Sequence, residues 1–68
     1  MGRAKIIDLV HRALEMSVTA SLAARIANGE PTLAAWDITC NALEDVVGAW
    51  REALDTAEKL YESADLAE

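Results

Sequence analysis

Apolar side chains recur along the second half of the chain in steps of four and three: Trp36, Cys40, Leu43, Val47, Trp50, Leu54, Ala57, Tyr61 and Ala64. A 3.5-residue repeat held over about four heptads is the pattern of a helix wound left-handed against a neighbour. The stretch therefore predicts one helix from about residue 32 to residue 63, with the last few residues fraying. The repeat stays in phase through Asp37-Ile38-Thr39-Cys40-Asn41, a run of poor helix formers, and through Gly48, which costs about 1 kcal/mol relative to alanine in a helix interior. An unbroken helix is expected rather than two short ones.

Residues 4–27 contain no glycine or proline and are rich in Ala, Leu, Ile and Met, which predicts a first helix of about seven turns. Ile7, Val10, Leu14, Val18, Ser21 and Leu22 make one apolar stripe at roughly 100° per residue. Ile6, Leu9, Ala13, Met16, Ser17, Ala20, Ala24 and Ala27 extend it round the cylinder, leaving Lys5, Asp8, Arg12, Glu15 and Thr19 as a narrow polar strip. Between the helices, residues 28–31 read as a turn. Asn28-Gly29 readily takes the left-handed conformation that closes a helix, and Glu30-Pro31-Thr32 restarts the chain with either Pro31 at the first helical position or Thr32 as the N-cap.

Two long helices joined by so short a connection predict an all-α antiparallel hairpin forming a single domain over residues 1–68. The expected seam sets Trp36, Leu43, Val47, Trp50, Leu54 and Tyr61 against Ile7, Val10, Leu14, Val18 and Leu22. Ala35, Ala42, Val46, Ala49, Ala53 and Leu60 widen the apolar surface of the second helix beyond what one neighbour can cover. The simplest closure is a two-fold homodimer forming a four-helix bundle. Size points the same way, because a core in a 68-residue chain rarely supplies more than about 3–5 kcal/mol without a disulfide, metal or partner.

Charge divides the chain. Residues 1–28 carry four basic and two acidic side chains, whereas residues 29–68 carry two basic and ten acidic ones, within an overall net charge of −6. Asp37, Glu44, Asp55, Glu58 and Glu62 occupy one flank of the second helix and form the candidate surface for a protein partner, a basic one by charge complementarity. Cys40 is the sole cysteine. Falling on the apolar stripe with no His or other base beside it, it reads as a small buried hydrophobe rather than a nucleophile. With no signal peptide, one unpaired cysteine fits a reducing cytoplasm. The apolar runs are too short and too interrupted by charge to cross a bilayer.

Metal, nucleotide and nucleic-acid chemistry have weaker support. Asp8, His11 and Glu15 resemble a carboxylate and histidine step of helical metal sites, but the second helix offers no inward carboxylate to complete it. Glu52, Asp55, Glu58 and Glu62 line an outer flank instead of converging on a pocket. Arg3, Lys5, Arg12 and Arg25 are scattered and lack stacking aromatics, and the net charge opposes phosphate. No cofactor, metal or catalytic residue is expected. The sequence reads as a small non-enzymatic helical module that self-associates and binds a protein, in the manner of adaptors, chaperones and inhibitors of bacteria and phages. The alternative is a nucleic-acid-associated regulator or one subunit of a larger hetero-complex.

Overall fold

The computed structural model describes residues 2–64. It is a hairpin of two helices, α1 (Gly2–Gly29) and α2 (Leu33–Ala64), packed side by side into a rod of 52 × 15 × 14 Å. Its radius of gyration of 15.8 Å exceeds the roughly 11 Å of a compact chain of this length. The fraying expected at the C-terminus lies outside the described residues.

Both helices begin and end within two residues of their expected bounds, but the turn between them is built differently. Gly29 is not left-handed, and no residue among those described has a positive φ. Instead α1 keeps its helical hydrogen bonding to the end, with the Glu30 N–H donating to the Ile26 carbonyl at 2.8 Å. The reversal falls on Pro31, because the Thr32 N–H donates to the Glu30 carbonyl at 2.8 Å across a three-residue turn whose central φ suits the proline ring. Thr32 is the N-cap of α2: its Oγ1 accepts from the Ala35 N–H at 3.0 Å and its carbonyl accepts from the Trp36 N–H at 3.1 Å. The alternative with Pro31 at the first helical position is thereby excluded.

α2 is continuous through both of its weak spots. Thr39, only 3% exposed, satisfies its hydroxyl by donating to the Ala35 carbonyl at 2.9 Å, the usual way a threonine is accommodated inside a helix. No buried side-chain polar atom among the described residues lacks a partner.

The helices meet along a different stripe from the one expected. The buried side chains are Leu9, Ala13, Ala20 and Ala27 on α1 with Thr39 and Ala53 on α2, flanked by the half-buried Ala35, Ala42, Val46, Ala49 and Leu60. Ala13, Ala20 and Ala27 recur every seven residues, so small side chains line the contact, an arrangement that favours close approach of two helices. Trp36, Leu43, Val47, Trp50, Leu54 and Tyr61, with Ile7, Val10, Leu14, Val18 and Leu22, lie outside the buried seam. All of them are exposed, from 38% at Trp50 to 76% at Tyr61. The physical reason is size. Bulky side chains on both helices would hold the axes apart, whereas the alanine-rich flank nests closely and leaves the bulky stripe beside the seam. Cys40 follows that stripe and is exposed, not buried as expected.

Candidate protein-interaction surface

Heptad positions of α2 that carry Trp36, Leu43, Val47, Trp50 and Leu54 lie on average about 70° round the helix from the seam positions Thr39 and Ala53. They therefore emerge on one broad face of the hairpin. Trp50 fixes which face that is, since its indole N–H reaches across to α1 and donates to Ser17 Oγ at 3.1 Å. Ser17 in turn donates to the Ala13 carbonyl at 2.9 Å. This short relay ties the centre of the tryptophan stripe to the backbone of α1. Ser17 appears in the sequence only as one member of an apolar flank, and nothing in its spacing marks it as the tryptophan's acceptor.

Only part of the α1 stripe joins this face. Successive steps of four residues advance by about 40° round a helix, so Leu14, Val18, Leu22 and Ile26 spiral from one side of α1 to the other. Val10 and Leu14 flank the tryptophan stripe. Leu22 and Ile26 reach the opposite face, where they line an apolar groove with Thr19, Ala23, Ala35 and Ile38. Ile7 contributes with Ile6, Val10, His11 and Leu14 to a second shallow apolar depression towards the free end of α1. The eleven residues expected to share one seam are thus divided: the α2 set is coherent and the α1 set is not.

The acidic flank is positioned as a separate surface. Asp37, Glu44, Asp55, Glu58 and Glu62 are all exposed and by helical phase lie on the side of α2 away from the seam, with Glu44 at the edge of that side, where it also borders Arg12 and Met16 of α1. Their carboxylates are solvated and face outward next to the tryptophan stripe. On the back of the hairpin, Arg12 and Met16 line a polar groove with Glu44, Asp45, Gly48, Ala49 and Glu52.

The remaining titratable candidates do not assemble into a site. His11 Nε2 lies 3.3 Å from Glu15 Oε2, one helical turn on, and both side chains are about 70% exposed, so the pair contributes little to stability. Asp8 is exposed on the same flank. Among the described residues no three His, Cys, Asp or Glu side chains converge where they could hold a metal ion, and no helix is long and apolar enough to cross a membrane. No protein-family model, curated protein or solved structure matches the chain.

Proposed function

We propose that this chain is a non-catalytic helical interaction module, which assembles through its tryptophan face and presents the acidic flank of α2 to a protein partner. One observation carries the reading: both tryptophans and the tyrosine stand exposed with Leu43, Val47 and Leu54 along one stripe of α2, while the buried core of the hairpin is four alanines with Leu9 and Thr39. Contiguous exposed apolar surface of this kind marks an interaction site, and tryptophan and tyrosine are favoured as interface anchors. The adjacent carboxylates add the second element. A row of like charges steers an oppositely charged protein and sets partner choice more than it adds affinity.

A surface of this kind suits a small adaptor, chaperone or inhibitor. The test is charge reversal at Asp55 and Glu62, two exposed members of the flank. The tagged chain and its Asp55→Lys/Glu62→Lys variant would be purified from the native cells and their co-purifying proteins identified. The expected outcome is a basic protein retained by the wild type and lost from the variant, with helicity unchanged by circular dichroism. The same proteins on both, or none on either, would remove the acidic flank from the reading.

A further inference from the structure

We infer that the tryptophan face is covered by a second copy of this chain, related by a two-fold axis that crosses α2 between Gly48 and Ala49 and sets the two α2 helices antiparallel. The inference rests on the reading of that face as an assembly surface and names its occupant.

Area is the first argument. One chain exposes 5399 Å², against roughly 4,200 Å² for a compact monomer of its mass. Two such chains would expose about 6,900 Å² if they formed a dimer of ordinary compactness, which requires burying about 3,900 Å² in total. That amount falls within the range of obligate homodimer interfaces, about 2,000–5,000 Å².

Self-complementarity is the second. A two-fold interface demands that one patch fit itself, and the axis between Gly48 and Ala49 is also the midpoint of α2, Leu33–Ala64. Turning the stripe about that point brings Val47 opposite Trp50 of the second copy and Leu43 opposite Leu54. The small Cys40 meets Ala57, and Trp36 meets Tyr61 in an aromatic pair at each end. Every stripe position from residue 36 to residue 61 gains one opposite number. Sliding the pairing by a heptad in either direction leaves Trp36 or Tyr61 without one.

Charge is the third. The positions flanking the centre place Glu44 beside Arg51 of the second copy, and symmetry repeats the pair. α2 holds only two cationic side chains, Arg51 and Lys59, and one of them falls where this register puts a carboxylate across from it. Towards the ends Asp37 meets Glu58, an exposed like-charge contact that salt screens.

The native cysteine supplies the test. In this register the two Cys40 side chains are separated by about 17 residues of helix, roughly 26 Å, far beyond disulfide reach. Ala57→Cys brings a thiol opposite Cys40 of the other chain, and the same separation along one straight helix forbids a bond within a chain. Light scattering on the wild type in 150 mM salt should give twice the chain mass of 7.3 kDa. After mild oxidation the wild type should run as single chains on a non-reducing gel, and Ala57→Cys as a covalent dimer. Should Ala57→Cys lose helicity, Leu43→Cys/Leu54→Cys in a Cys40→Ser background reports on the same register.

A monomer, trimer or tetramer in solution would overturn the inference. So would a wild-type dimer cross-linked through Cys40, which signals parallel helices, or a dimer in which neither cysteine pair closes. A helical monomer that still loses its partner on Asp55→Lys/Glu62→Lys would sink the second copy and leave the proposed function standing. A cross-linked dimer indifferent to that charge reversal would do the reverse.

Discussion

Gly48 sits mid-way along α2 with no heavy atom within 4 Å of the place a Cβ would occupy and with an ordinary helical backbone. It faces neither the alanine seam nor the tryptophan stripe, so its flexibility serves no contact of the hairpin. Gly48→Ala should stabilise the protein by about 0.5–1 kcal/mol, through the smaller conformational entropy of the unfolded chain and better helix propensity. In a chain of this size that corresponds to a rise in Tm of about 2–8 °C, read by thermal circular dichroism at fixed protein concentration. A fall would reveal another chain lying close against Gly48. Trp50 shows the opposite relation between sequence and environment at a single residue. Its place on the stripe follows from spacing, yet its bond to Ser17 depends on how the two helices are rotated about their axes, which no spacing within one helix records.

α2 starts where it does because Thr32 caps it, and this is the best-defined local signal in the turn. Thr32→Ala should cost about 0.5–2 kcal/mol and Thr32→Asp should restore most of it, since either oxygen can accept from the Ala35 N–H; denaturant unfolding of the three proteins checks the order. Both helices and their connection were legible because helix formers, proline and cap residues act over a few positions. The phase of the pairing was not. Two stripes of α2 share the same seven-residue period, one bulky and one rich in alanine, and periodicity cannot say which of them faces α1. That choice is made by the distance between the axes, and small side chains win inside the hairpin because they permit the closer approach. The α1 stripe misled for a related reason. Its steps of four look like a face over two turns, but their accumulated rotation carries Leu22 to the far side. The acidic flank was legible as a run of like charges with one phase, because a solvated face needs no neighbour to define it.

At the scale of the molecule, the seam and the stripe divide the work of folding unequally. Burying alanines removes little apolar area from water, and hydrophobic stabilisation scales with that area; most of the apolar area still open to burial belongs to the tryptophans, leucines and valines that one hairpin leaves exposed. A chain of this kind should therefore gain most of its stability on assembly, and its folding should depend on concentration. For a dimer that unfolds directly to separate chains, each tenfold increase in concentration adds about 1.4 kcal/mol at 25 °C, which for two chains of this length raises Tm by about 5 °C. Thermal melts followed by circular dichroism from about 2 to 200 µM should then span roughly 10 °C. A Tm constant across that range would mean that the alanine seam alone holds the hairpin, and that the exposed stripe is maintained for binding rather than for folding.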